Sequence, residues 1–216
     1  MHPLEIKQLS IELPNGKSLA NNLRFTIKPG EVLVLMGPSG SGKSSILAAI
    51  TGTADPRLRI SEDIWLGDTC ISSLVPEKRK LGLMLQQDYL FPHMSVRDNL
   101  LFGLRGGSRA ERSDIIAKAL QDAGLANMES RDPGTLSGGQ RARVSLVRTL
   151  LSKPCALLLD EPFSRLDAAM REQIRNFTWK SAAQLPVLLV THDKSDVPEG
   201  ARILDAGQSD VLSETL

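Results

Sequence analysis

The sequence predicts an α/β fold with a mostly parallel sheet, an antiparallel β region at the N-terminal end and a helical lobe inserted into the core. Three observations carry that expectation. Runs such as Val32-Leu33-Val34-Leu35-Met36 and Val187-Leu188-Leu189-Val190 are apolar at consecutive positions, as suits strands covered on both faces. Helical patterns fall between such runs, and strands interleaved with helices define the α/β class. The stretch from about Leu90 to Leu136 holds helix-like patterns and no convincing strand.

Taken in chain order, Leu9, Ile11 and Leu13 alternate ahead of the turn Pro14-Asn15-Gly16, so Leu4 to Ile27 predicts a hairpin. Pro29-Gly30 introduces the Val32 strand, and a helix is expected from Ser44 to Ile50. Leu83-Met84-Leu85, Ala156-Leu157-Leu158-Leu159 after Pro154, and Val187 to Val190 after Pro186 predict further buried strands. In the inserted lobe, Val96 to Leu104 and Ala110 to Gly124 look helical, broken by Gly106-Gly107 and by Asp132-Pro133-Gly134. Ser137 to Leu151 and Ala168 to about Ala183 complete the predicted helices. The expected organisation is a single domain over 2–216, with a core lobe of about 2–89 and 155–216 and a helical lobe of about 90–154. Patterns of this kind do not order the strands.

The bulk composition narrows the function classes. A chain of 216 residues suits one domain, or one domain of two lobes. Lys plus Arg number 26 against 25 Asp plus Glu, a net charge of +1 that argues against non-specific nucleic-acid binding. No stretch approaches the ~20 apolar residues that cross a bilayer. The start, Met1-His2-Pro3-Leu4-Glu5, lacks the charged and apolar segments of a signal peptide. Cys70 and Cys155 make no disulfide framework and are expected as reduced thiols. The expected location is cytoplasmic, at a membrane only through a partner.

Gly37-Pro38-Ser39-Gly40-Ser41-Gly42-Lys43-Ser44 fits the Walker A pattern. It follows a predicted strand and opens a predicted helix, the context a phosphate cradle requires and a plain Gly/Ser turn does not. Glycines let backbone N–H groups converge on anionic oxygens, and the helix N-terminus adds its dipole. Lys43 is expected to reach the β- and γ-phosphates and Ser44 to ligate Mg²⁺. The core is thus expected to be of the P-loop NTPase type, with the loop binding a nucleotide. Leu157-Leu158-Leu159-Asp160-Glu161 ends a buried strand in two acids. The carboxyl edge of an open α/β sheet gathers ligands. Asp160 is therefore expected in the Mg²⁺ shell and Glu161 as general base toward an attacking water. The plainer alternative is that the two acids begin a surface turn.

Leu136-Ser137-Gly138-Gly139-Gln140 stands immediately before the helix from Arg141, with Ser137 as N-cap and the glycine amides as a second anion-binding end. With this string the sequence resembles the ATP-binding subunits of ABC transporters. The resemblance spans nearly the whole chain, because further motifs follow in the family's order. Gln86 is similar to the Q-loop glutamine, preferred over Gln87 by its spacing to Phe91-Pro92-His93. Ser164-Arg165-Leu166-Asp167 resembles the D-loop, and His192 within Val190-Thr191-His192-Asp193 resembles the switch histidine.

The resemblance implies two copies facing head to tail. ATP lies on the Gly37 to Ser44 loop of one copy and is clamped by Ser137, Gly138, Gly139 and Gln140 of the other, with Asp167 among the nucleotide-site residues. Catalytic roles fall to Glu161, His192 and Gln86, and Mg²⁺ is held by Ser44, Gln86 and Asp160. It also implies an integral-membrane permease as partner, with a solute-binding protein reached through it. The chain then sits peripherally at the inner face of the cell membrane, with import favoured because a free-standing ATPase of this length resembles importer subunits.

One departure matters. Family members usually stack adenine on an aromatic residue of the first hairpin, and Leu9 to Lys17 contains none. Leu13 is the nearest candidate by spacing, and base selectivity between ATP and GTP stays open. With eight residues after Gln208, no appended regulatory domain is expected. The alternative function is a soluble ABC-type ATPase acting on nucleic acid or ribosomes, which usually carries coiled coils or two ATP-binding units per chain. A P-loop kinase would need neither the 136–140 string nor Glu161. Leu90-Phe91-Pro92-His93-Met94, apolar in a presumed loop, suits either docking of a partner helix or packing between the lobes.

Overall fold

The computed structural model describes residues 2–38, 40–104, 106–164 and 166–206. Ser39 of the phosphate loop, Arg165 of the Ser164 to Asp167 motif, and Gly207 with everything after it lie outside the described residues. The chain divides into two compact units, Met1–Leu83 with Cys155–Glu161 and Ala182–Leu216, and Met84–Pro154 with Pro162–Ser181.

The first unit holds two sheets. Strands β1 (Leu4–Glu12) and β2 (Ser18–Ile27) pair antiparallel, with Leu4 opposite Ile27 and Glu12 opposite Ser18. The hairpin closes as the turn residues predict. The Leu13 amide donates to the Lys17 carbonyl, the Asn15 side chain accepts from the Lys17 amide, and Gly16 takes φ 83°. Strand β4 (Arg59–Leu66) covers the other edge of β1, and a short β5 (Thr69–Cys70) follows it, giving the order β2-β1-β4-β5. Sequence patterning did not predict β4. Only Ile64 and Leu66 of this strand are buried, and charged residues interrupt the alternation, so the pairing partner on β1 decides the strand.

The second sheet has the order β6-β7-β8-β3-β9, with β3 (Val32–Met36), β6 (Leu81–Met84), β7 (Ala156–Asp160), β8 (Val187–Val190) and β9 (Arg202–Asp205). The pairs β3·β8, β3·β9 and β7·β8 are parallel. All residues of β7 and β8 are buried, which is why their sequences are continuously apolar. Strand β6 begins two residues before its expected start, and Leu85, expected inside it, is exposed. Helix α1 (Lys43–Thr51) buries Ile46, Leu47 and Ile50 in a core shared with Leu4, Ile6, Leu33, Leu158 and Leu188.

The second unit comprises α2 (Val96–Gly103), α3 (Arg109–Asp122), α4 (Gly138–Leu151) and α5 (Ala168–Ser181). Val96, Leu100, Ile116, Leu120, Val144 and Val147 form its core. Serines 95, 108 and 137 cap the first three helices, and Ser108 and Ser137 do so in reciprocal capping boxes with Glu111 and Gln140. Helix α5 belongs with this unit, whereas the sequence had assigned 155–216 wholly to the core lobe. The cause is side-chain contact with α4. Arg143 donates to Met170 Sδ and to Gln173, and Phe177 packs against the helical core.

Candidate active site

Three strand ends of the first unit converge through the sheet order β7-β8-β3. From β3 the chain enters the phosphate loop, where Gly37, Gly40 and Gly42 take φ values of 155°, 81° and 90°. The last two lie in the left-handed region that favours glycine. A Cβ on Gly37 would fall 3.1 Å from Ser41 Oγ and 3.2 Å from Ala206 Cβ, so the loop is wrapped as tightly as a backbone cradle needs. Gly42 occupies the N-cap of α1 without any side-chain cap, unlike the serine caps of α2, α3 and α4. The first amides of α1 therefore have no capping side chain, and anions are favoured there. Buried Lys43 directs Nζ to the Gly37 and Pro38 carbonyls, each at 2.8 Å, and the buried Ser41 hydroxyl has no partner among the described residues. An orphaned buried donor and a folded-back lysine inside a glycine cradle fit a polyphosphate.

At the end of β7, Asp160 is 8% exposed and hydrogen-bonds Ser44. Burial pushes its carboxyl above the usual range. The Ser44 bond opposes that shift, the neighbouring Glu161 charge adds to it, and Lys43 opposes it. Among the described residues no group of three or more His, Cys, Asp or Glu side chains forms a metal cage. A hydroxyl and one carboxylate side by side instead suit Mg²⁺, which keeps waters and takes phosphate oxygens. Glu161 follows with φ 45°, uncommon for a residue bearing Cβ, and its amide donates to the Val190 carbonyl at 2.9 Å. Its Oε1 lies 3.0 Å from His192 Nδ1. The turn after β8 that carries His192 is fixed by buried Thr191, whose hydroxyl bonds Asp196 and accepts from the Asp193 amide.

The second unit carries the remaining predicted residues. Ser137 Oγ accepts from the Gln140 amide at 3.2 Å, and Gln140 Oε1 accepts from the Ser137 amide at 2.9 Å. That bond does not use the Ser137 hydroxyl proton. Gly139 packs so closely on Met170 that a Cβ would sit 2.3 Å from its Cγ and Sδ. Gln86 Nε2 donates to Ser164 Oγ at 3.3 Å, and Asp167 Oδ1 accepts from the Met170 amide at the start of α5. Sequence reasoning missed Leu19, which stands against Gly42. A Cβ there would meet Leu19 Cβ at 3.1 Å. Leu13, the residue proposed by spacing, has its backbone amide and carbonyl engaged in the hairpin turn. Nothing in the local pattern separates Leu19 from any other strand residue.

A phosphate cradle, a Ser–Asp pair at the strand ends and a Glu–His pair beside it define a P-loop ATPase. Residues 20–164 match the sequence model of the ABC transporter family, and the chain belongs to that family. It is 41% identical over 206 residues to the uncharacterized ABC transporter ATP-binding protein YnjD of Escherichia coli, covering 94% of each chain. It is 40% identical over 187 residues to the putative 2-aminoethylphosphonate import ATP-binding protein PhnT of Salmonella typhimurium, and 39% over 197 residues to the maltose/maltodextrin import ATP-binding protein MalK of Vibrio cholerae. Those matches cover 84% and 88% of this chain, and 50% and 52% of the two relatives. The chain is an ATP-binding, ATP-hydrolysing subunit of an ABC transporter.

Proposed function

We propose that this chain powers an importer, hydrolysing Mg²⁺-ATP between two copies of itself at the cytoplasmic face of a membrane permease. The observation that carries the reading is the gathering of Lys43, Ser44, Asp160, Glu161 and His192 at three adjoining strand ends. Bound Mg²⁺ would neutralise developing phosphate charge, held by Ser44 and Asp160. Lys43 leaves the Gly37 and Pro38 carbonyls for phosphate oxygens, and the backbone N–H groups of Gly40 to Ser44 wrap them. Glu161 takes the proton of the attacking water, and His192 orients the Glu161 carboxylate and contacts the γ-phosphate.

Two helix ends enter this reading, α1 after the uncapped Gly42 and α4 after the Ser137 cap. In the two-copy reading they serve different nucleotides, Ser137 to Gln140 and Asp167 closing over the partner copy's ATP. The import assignment draws on the names of the PhnT and MalK relatives. No helix among the described residues is long and apolar enough to cross a membrane. A groove of about 500 Å³ lined by Tyr89, Leu90, Pro92, Pro133 and Arg141 suits a permease helix, with Tyr89 and Phe102 exposed nearby. A solute-binding protein would reach the complex through that permease.

The test is to purify the chain from native membranes, identify the integral protein that accompanies it, and reconstitute both in vesicles. ATPase activity should rise with the permease and not with DNA. Stimulation by DNA, with no membrane protein retained, would instead establish the soluble ATPase.

A further inference from the structure

Two residues beyond Gln86, the chain is gripped by one face of α4. Arg141 Nε donates to Asp88 Oδ2 at 3.0 Å, and Arg141 Nη1 ties back to the Leu136 carbonyl at 2.7 Å. The Asp88 carbonyl accepts from Ser145 Oγ at 3.1 Å and from Arg148 Nη2 at 3.2 Å. Arg148 Nη1 reaches the Tyr89 carbonyl at 2.9 Å, and the same guanidinium lies 5.6 Å from the Phe91 ring. Residues 141, 145 and 148 are spaced four and three apart, so all three project from one helix face.

The gripped segment is strained. Tyr89 has φ 42°, a left-handed conformation that a bulky residue holds only when its surroundings impose it. Tyr89 is 60% exposed, so its own burial is not what imposes it. The carbonyls on either side of the strained residue are held by charged and hydroxyl donors from α4. An ordinary loop-on-helix contact would rest on apolar side chains; here Ser145 and Arg148 bond backbone oxygens.

We propose that Arg141, Ser145 and Arg148 form a clamp that joins the Gln86 segment to α4, so that nucleotide engagement at Ser137 is transmitted to Gln86. The inference rests on the two-copy reading above, in which Ser137 and Gln86 of one chain address different nucleotides. Tyr89 is the two-state element. Clamped, it is left-handed; released, it returns to negative φ and the Gln86 segment uncouples from α4.

The experiment measures hydrolysis by the full chain against ATP concentration. Two coupled sites give a Hill coefficient above one and up to about two. Arg148→Met and Ser145→Ala are expected to bring it toward one, with thermal unfolding still cooperative. Arg148→Lys should resemble Arg148→Met, because an ammonium does not span two carbonyls as a planar fork does. Tyr89→Gly should keep cooperativity, since glycine adopts φ 42° without strain and leaves both carbonyls in place. Folded Arg148→Met and Ser145→Ala proteins with the wild-type coefficient would overturn the clamp; if Arg148→Met does not fold, Ser145→Ala and Arg148→Lys decide. The underlying reading is checked separately by ATP-driven dimerisation of Glu161→Gln in size exclusion. No dimer, together with a wild-type coefficient of one, removes that reading and the clamp with it.

Discussion

His192 Nδ1 stands 3.0 Å from Glu161 Oε1, joining the end of β7 to the turn after β8. The partners come from neighbouring parallel strands in which Asp160 lies opposite Val190, so the sheet register itself sets their separation. Glu161 reaches the histidine from a left-handed backbone that the hydrogen bond from its amide to the Val190 carbonyl maintains. Strain of this kind persists where neighbouring structure fixes it, and such positions gather at active sites.

If Glu161 is the base, as proposed, replacing it should separate binding from turnover. Glu161→Gln keeps the side-chain length and a hydrogen-bonding oxygen toward His192 but is not basic. General-base contributions are typically about 10²–10⁴-fold, so kcat should fall by at least roughly a hundredfold while the Kd for ATP stays within about threefold. Rapid-quench turnover and equilibrium nucleotide binding measure the two quantities. Normal hydrolysis by Glu161→Gln would assign the proton transfer elsewhere.

Asp160 makes a prediction with a definite sign. Its carboxyl is raised chiefly by burial, so the folded state holds the proton more tightly than the unfolded chain does. The stability this gives is present at low pH and is lost as pH rises through the folded value. At neutral pH the Asp160 charge therefore works against folding. Asp160→Asn should raise the Tm of the nucleotide-free protein at pH 7, and the gain should shrink as pH falls into the ordinary carboxylate range. The same variant should lose the Tm increase that Mg²⁺-ATP gives the wild type. Thermal unfolding across pH, with and without Mg²⁺-ATP, tests both; an Asp160→Asn Tm at or below wild type at pH 7 contradicts the burial argument.

What the sequence made legible was local. The phosphate loop, the acids after Leu159 and the Ser137 cap each occupy consecutive residues, so their place at element ends is readable. Strand β4 was not legible, because Arg59–Leu66 becomes a strand by pairing with β1, some fifty residues earlier. The unit membership of α5 depends on Met170 and Gln173 meeting Arg143, and Leu19 gains its place only by standing against Gly42. The bond between Arg141 and Asp88 likewise joins residues 53 positions apart. No windowed pattern contains such pairings.

Lys43 supplies a prediction on the binding side. Its ammonium spans two loop carbonyls at 2.8 Å, a resting place it can exchange for phosphate oxygens without rebuilding the loop. A hydrogen bond to a charged group is worth about 1.5–3 kcal/mol, so Lys43→Ala should weaken ATP binding by roughly ten- to a hundredfold. Isothermal titration with Mg²⁺-ATP measures this directly. An unchanged Kd would mean that the backbone cradle alone holds the triphosphate.

Gly103 sets two helix effects against each other. It closes α2, where alanine would ordinarily gain up to about 1 kcal/mol of helix propensity. A Cβ at Gly103, however, would fall 2.3 Å from the Arg148 carbonyl oxygen of α4, and that obstacle is backbone rather than a movable side chain. Inserting a methyl group into such a contact costs about 1–3 kcal/mol, which outweighs the propensity gain. Gly103→Ala should therefore lower the Tm by a few degrees, at roughly 2–4 °C per kcal/mol for a chain of this length. Serine at the same position should be at least as damaging, having the same Cβ and a poorer helix propensity. A rise in Tm for Gly103→Ala would mean that α2 and α4 lie further apart than the Arg148 carbonyl requires.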